Sequence, residues 1–277
     1  MSRGGQRSAT KFKILSINAN SIERNPKRGR VLHYLKKQNA DFILVCDTRI
    51  CQSIESIVKD EWGGRCVFNS FTSQARGVAI FLKRNNPAEL IDEYCDTEGN
   101  ILGILIKYND KKILIETLYG PNQDSPAFFS DKAFRMIEAW EPDFSIFAGD
   151  YNVVLDPHLD SKNYLQVNNP QARNALKNQI ENNNLVDIWR DTHPEARVYT
   201  WKKFNQDKMS RLDYFLISSS LLPYVVKTDI IPSFCSDHSG IELEIDFTRF
   251  KMGKGFWKFN KSLLKDPSYV LLIKKHN

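Results

Sequence analysis

Apolar residues fall in short runs bounded by polar turn residues, and helical spacing replaces alternation at only a few places. Phe12-Lys13-Ile14-Leu15-Ser16-Ile17 alternates enough to predict a strand, which stops at Asn18-Ala19-Asn20-Ser21. Asn25-Pro26 supplies an N-cap and first-turn pair, and Val31, Leu32 and Leu35 recur at helical spacing, so a helix is predicted up to Asn39. Asp41 opens Phe42-Ile43-Leu44-Val45-Cys46, too short for a helix and apolar throughout, as in a strand covered on both faces; it ends at Asp47-Thr48.

From Arg65 to Leu118 the runs Cys66 to Asn69, Gly77 to Leu82, Leu90 to Tyr94, Ile101 to Lys107 and Lys112 to Leu118 alternate with turn chemistry, predicting an antiparallel meander that ends in Tyr119-Gly120-Pro121-Asn122. Ser125-Pro126 caps a predicted helix with a stripe of Phe129, Ala133, Met136, Ile137 and Trp140, stopped by Pro142. Phe144 to Ala148 is a buried strand ending in Gly149-Asp150-Tyr151-Asn152, and Asn169-Pro170 opens a helix through Leu176 and Ile180. Tyr199-Thr200-Trp201 enters a basic turn, Lys202 to Ser210, which returns at Arg211-Leu212 as a projecting hairpin. Asp213 begins the run Phe215-Leu216-Ile217, while Ile230-Ile231-Pro232 gives way to Ser236-Asp237-His238 before the alternating run Ile241 to Ile245.

With 277 residues and 42% hydrophobic content, one large domain is expected. No run approaches the roughly 18 apolar residues of a membrane span, and MSRGGQRSATKF lacks a secretory apolar core, so a soluble, unsecreted chain is expected. The five cysteines form no C-x-x-C pair and read as reduced, packed thiols rather than a zinc site. Charge divides unevenly. The first thirteen residues carry Arg3, Arg7, Lys11 and Lys13 with no acid, and from Arg249 onward eight basic residues face Asp266 alone. The tails thus hold +4 and +7 of the net +6, leaving the intervening chain at −5. The expected organisation is a basic tail over residues 1–11, a catalytic domain over 12–248 and a basic linker or tail over 249–277.

Asn18, Asp47, Asn122, Asp150, Asn152, Asp213, Asp237 and His238 all fall where an apolar strand meets a loop. If those strand ends lie side by side, short acids and amides converge on one floor, where α/β folds place ligands. Carboxylates gathered in one cleft repel one another and need a cation, and oxygen donors suit hard Mg2+. Amides and an imidazole beside them can hold phosphate oxygens without adding negative charge, which suits phosphoester hydrolysis.

The ordered blocks KILSIN, VCDT, LYGPN, GDYN, RLDYFLIS and SDH resemble the endonuclease/exonuclease/phosphatase superfamily. The resemblance implies a four-layered α/β sandwich, two packed mixed β-sheets flanked by helices, with Mg2+ as cofactor and Mn2+ as its substitute. RLDYFLIS and SDH are similar to the apurinic/apyrimidinic endonucleases, and GVAIFL, GDYNVVLDP and GFWKFNKSLL look most like the endonuclease domain of LINE-type (non-LTR) retrotransposons. That resemblance implies an enzyme that nicks one strand of double-stranded DNA, leaving the 3′-hydroxyl that primes a reverse transcriptase downstream in the same polyprotein. It further implies a protein made in the cytoplasm and acting in the nucleus, monomeric as an isolated domain.

Carried onto this sequence, the resemblance implies that Asn18 and Asp47 place the metal, with Asn20 a weaker candidate and Asp237 on the metal side. Tyr119 and Asn122 would contact or support the scissile phosphate, Asp150 would activate or orient water beside Asn152, and Asp213 would orient His238. Whether Asp150 or His238 is the general base stays open. The departure is Asp47, preceded by Cys46, where the family has Glu preceded by Gln. In the hairpin, Phe204 with Lys202, Lys203 and Lys208 is expected to enter a DNA groove, and Arg211 is grouped with them as a substrate contact. The competing readings are a catalytically silent DNA-binding module, and a repair endonuclease or phosphoesterase of the same fold.

Overall fold

The computed structural model describes residues 11–164 and 168–249; the basic stretches 1–10 and 250–277 lie outside the described residues. The first half holds strands β1 (Lys11–Asn18), β2 (Phe42–Cys46), β3 (Cys66–Asn69), β4 (Val78–Leu82), β5 (Glu89–Cys95), β6 (Ile101–Tyr108) and β7 (Lys111–Tyr119). Helices α1 (Lys27–Lys37) and α2 (Glu55–Trp62) interrupt them. The second half adds α3 (Met136–Trp140), β8 (Phe144–Asp150), β9 (Ser161–Lys162), α4 (Pro170–Asn182), β10 (Leu185–Asp187) and α5 (Ile188–Thr192). It closes with β11 (Trp201–Lys202), β12 (Met209–Ser210), β13 (Asp213–Ser218), β14 (Val225–Ile231) and β15 (Gly240–Asp246).

Two six-stranded sheets result, β14-β15-β1-β2-β4-β3 and β10-β13-β8-β7-β6-β5. Each is mixed, with one parallel pair at its centre: β1 with β2 and β7 with β8. The sheets pack face to face through β1 and β2 against β7 and β8. Runs such as Phe42–Cys46 and Phe144–Asp150 are buried at every position because one face meets the other sheet and the opposite face meets helices. One outer layer packs Val31, Leu32 and Leu35 of α1 on Leu15, Val45 and Phe81, and the other packs Ala172 and Leu176 of α4 on Leu118, Phe147 and Leu216. This is the expected four-layered sandwich.

Three expectations are corrected. The run from Arg65 to Leu118 is not one meander, since β3 and β4 join the first sheet while β5, β6 and β7 build the second. The helix expected through Phe129 and Trp140 is broken: a π-turn, Phe128–Lys132, ends in extended Ala133 and left-handed Phe134 before α3 begins. Buried Glu116 accepts the Phe134 N–H at 3.5 Å, and the break lets Phe128, Phe129, Phe134 and Met136 all reach the core. The hairpin is not isolated, because β9 pairs with β12 to make a small third sheet, β11-β12-β9. No helix of the described residues is long and apolar enough to cross a membrane.

Candidate active site

Strand register assembles the site. The parallel strands β7 and β8 stop together, with Tyr119 opposite Asp150, and antiparallel β13 starts at that level, with Asp213 opposite Asp150. Across the sandwich β1 and β2 stop at the same end, with Asn18 opposite Cys46, so Asp47 leaves the sheet beside Asn18. His238 arrives on the loop before β15 and is fixed by a bridge to Trp201 and by the Ser239 N–H donated to the Thr200 carbonyl at 2.7 Å. The Thr200 hydroxyl accepts from the Leu212 and Asp213 N–H groups, which locks the start of β13. These ends line a cleft of about 380 Å3.

At its floor Asp213 Oδ2 lies 2.9 Å from His238 Nδ1, and the other ring nitrogen, Nε2, lies 3.7 Å from Asp150 Oδ2. Asp150 also accepts from Asn18 Nδ2 and from the Asn152 N–H, both at 2.9 Å. All three ionisable groups are buried. Burial pulls the imidazole toward neutrality, but the flanking Asp213 and Asp150 outweigh it and hold the His238 pKa up to about 9. Burial, with repulsion from Asp213 added to it, pushes Asp150 up to about 7 against the pull of His238. Burial and the nearby Asp47 and Asp150 raise the Tyr119 phenol, which stays protonated as a donor. Asn152 turns its side-chain amide to the Gly120 carbonyl at 2.8 Å, which ties together the loops after β7 and β8.

The residues expected to place a metal are held by one another and by neighbouring donors. Asn18 Oδ1 accepts the Asn20 N–H, and both Asp47 oxygens are taken by Arg49, at 3.2 and 2.9 Å. The same guanidinium reaches Asn20 Oδ1 at 3.2 Å, Asn20 Nδ2 donates to Asp237 Oδ1 at 3.0 Å, and Trp201 Nε1 donates to Asp237 Oδ2 at 3.1 Å. Among the described residues, the group able to offer ligand atoms mutually within 4.8 Å is Asp150, Asp213 and His238. His238 is already engaged by Asp213, whereas buried Asp213 Oδ1 has no partner. Asn18, Asp47 and Asp150 line the cleft, so the donors it offers are hard oxygens, which fit a hard divalent cation.

Exposed Asn122 lines the cleft, but Lys202, Lys203 and Phe204 project from the hairpin outside it. Arg211 is corrected as a substrate contact. Its side chain is 1% exposed and its guanidinium is spent on Asp160 and Asp187. Sequence reasoning missed Arg49 and Lys27, whose amine donates to the Asn20 carbonyl at the cleft edge. Arg49 was signalled only by standing two residues after Asp47.

A sequence model of the endonuclease/exonuclease/phosphatase family matches residues 15–238. The chain is 25% identical over 270 residues to the transposon TX1 uncharacterized 149 kDa protein of Xenopus laevis, a match covering 94% of this chain and 20% of that protein. The chain therefore spans about a fifth of that relative's length. It is 26% identical over 256 residues to an exodeoxyribonuclease of Bacillus subtilis, covering 85% of this chain and 100% of that one. In fold it is similar to the AP endonuclease LMAP of Leishmania major, with TM-score 0.73, 17% identity and coverage of 89% and 92%. An AP endonuclease from Archaeoglobus fulgidus aligns with TM-score 0.70, 22% identity and coverage of 85% and 99%.

Proposed function

The chain belongs to the endonuclease/exonuclease/phosphatase family, and from that premise we propose that it is a divalent-metal-dependent endonuclease that nicks one strand of duplex DNA and leaves a 3′-hydroxyl. The observation that carries this reading is the buried row Asp213, His238, Asp150, with the imidazole held between two carboxylates at the floor of an open cleft. Asp213 holds the Nδ1 proton, which leaves Nε2–H on the Asp150 side of the ring, where it donates to a phosphate oxygen entering the cleft. Asp150, oriented by Asn18 and the Asn152 N–H, accepts a proton from the attacking water. Tyr119 and Asn122 donate to the phosphate without adding charge. A divalent ion, when bound, neutralises charge on the phosphoryl oxygens, and Asn18, Asp47 and Asp150 are the donors that would hold it.

The likeness to a transposon protein five times as long supports a domain of a retrotransposon polyprotein, acting on nuclear DNA to prime a reverse transcriptase. A second reading, a silent DNA-binding module, draws on one observation, the occupation of Asp47 by Arg49. Conversion of supercoiled to open-circular plasmid in Mg2+ separates the two. Wild type nicks and His238→Ala does not; equal, background-level conversion by both would leave the silent module standing.

A further inference from the structure

Arg49 is the strongest feature that the proposed chemistry leaves unused. It stands on the left-handed backbone just beyond Asp47, with φ of 52°, and its own N–H is held by the Arg76 carbonyl at 2.8 Å. Its side chain is therefore aimed rather than loose. The planar fork covers both oxygens of Asp47, whose side chain is 6% exposed while that of Arg49 is 33% exposed. Asp47 is thus a nearly buried carboxylate whose lone pairs toward the cleft are already engaged by a cation. Arg49 also stands in the wall between two cavities. The catalytic cleft and a neighbouring space of about 270 Å3, lined further by Gln74, Arg76 and Gln123, share Asp47, Arg49, Tyr119 and Asn122.

Two positive groups cannot both bind one short carboxylate at full strength. An ion of charge two at Asp47 would repel the guanidinium at contact distance and compete for the same oxygens. A displaced fork then has the amides of Gln74, Asn100, Asn122 and Gln123 and the paired Arg76 and Glu98 on the far side, and its planar geometry matches the spacing of phosphate oxygens. We propose that Arg49 is an internal competitor for the divalent ion, holding Asp47 until the ion takes that carboxylate and then turning its guanidinium to a DNA phosphate. Ion and DNA then bind with positive coupling, because each removes a cost that the other would bear. This rests on the metal-dependent reading above.

The test is Mn2+ titration of the full chain by calorimetry, followed by fluorescence anisotropy of a labelled duplex in EDTA and in Ca2+. Arg49→Gln should bind Mn2+ about tenfold more tightly than wild type, since a competing charge is gone. Asp47→Asn in that background should abolish the gain. Wild type should hold duplex more tightly in Ca2+ than in EDTA, and Arg49→Gln should lose most of that increment. Unchanged or weaker Mn2+ binding by Arg49→Gln overturns the proposal, as does an equal Ca2+ increment in both proteins. Failure of wild type and variant alike to bind Mn2+ overturns the metal-dependent reading with it, and so is distinguishable from failure of the competition alone.

Discussion

Asp160 grips Arg211 with both oxygens, 2.7 Å from Nε and 3.0 Å from Nη2, at a depth where neither side chain is more than 1% exposed. Asp187 takes the other edge of the guanidinium at 2.7 and 3.1 Å, Arg190 adds a second cation to Asp160 at 2.5 Å, and Tyr214 lies under Arg211 with its hydroxyl donated to the Arg211 carbonyl. Arg211 stands two residues before Asp213, so this network fixes where β13 begins and hence where His238 finds its orienting partner. Removing Asp160 leaves buried Arg211 with Asp187 alone and takes from Arg190 the carboxylate it pairs with. Asp160→Ala is expected to cost about 3 to 5 kcal/mol of unfolding free energy by urea titration. A loss under about 1 kcal/mol would mean that the network is not structural.

Replacing Asp213 tests the row itself. Asp213→Ala removes the acceptor that sets the His238 tautomer, so plasmid nicking should fall by about a hundredfold or more, the usual reach of general acid–base groups. Far-ultraviolet circular dichroism must stay unchanged for the result to count. Activity within a few-fold of wild type would remove Asp213 from the mechanism.

The buried strands, and the convergence of their ends on one floor, were legible because such strands carry unbroken apolar runs and each run stops at a polar residue, as at Asn18, Asp47 and Asp150; the two-sheet sandwich was legible only through the family resemblance. Sheet membership was not legible. The turn residues between β4 and β5 say that the chain reverses or bends, but not that it crosses to the other sheet. Helix α2 escaped because it buries only Val58 and Trp62, too few for a stripe, and β9 escaped because it is two residues long. Arg211 and Arg49 mark the limit for the site. An arginine near a loop reads as a solvent-facing cation, and only tertiary structure shows that one is walled in by two aspartates and the other lies on a carboxylate expected to hold metal.

Glu116 is a carboxyl with no exposure in the middle of β7, with Oε2 lacking any partner, and burial raises its pKa to about 8. The folded value lies above the unfolded one, so the folded state binds more protons between them. The stabilisation is complete below the unfolded value of 4.5 and is lost as pH rises through about 8. Wild type should lose on the order of a few kcal/mol between pH 5 and 9, and Glu116→Gln should flatten that slope in denaturation series across the range. Parallel curves for the two proteins would contradict it.

Phe204 is 87% exposed at the tip of a hairpin whose root is fixed by β12 pairing with β9 and by the bridge from Trp201 to His238. Tip and root are separable. Replacing residues 203–208 with a Gly-Ser turn should redistribute nick positions mapped on sequenced duplex DNA while leaving nicking of a non-specific plasmid largely intact. An unchanged map would show that the tip does not choose the site.

Gly149 tests how tightly the two strands that deliver Asp150 and Tyr119 are held. It pairs with Leu118, its φ is 150°, and a Cβ added there would lie 2.0 Å from the Leu118 carbonyl oxygen. That oxygen is backbone on a central strand and cannot move without parting β7 from β8, one residue before Tyr119 and Asp150. Gly63 is the control: its φ is 72°, yet a Cβ there meets nothing within 4 Å. Gly63→Ala should cost about 1 kcal/mol, the ordinary strain of a left-handed position. Gly149→Ala should cost about 3 kcal/mol or more, because steric overlap with the neighbouring strand adds to the backbone strain. Thermal denaturation of the two variants decides the matter; equal losses would mean that β7 and β8 can separate at little cost and that the spacing of the site is not set by their contact.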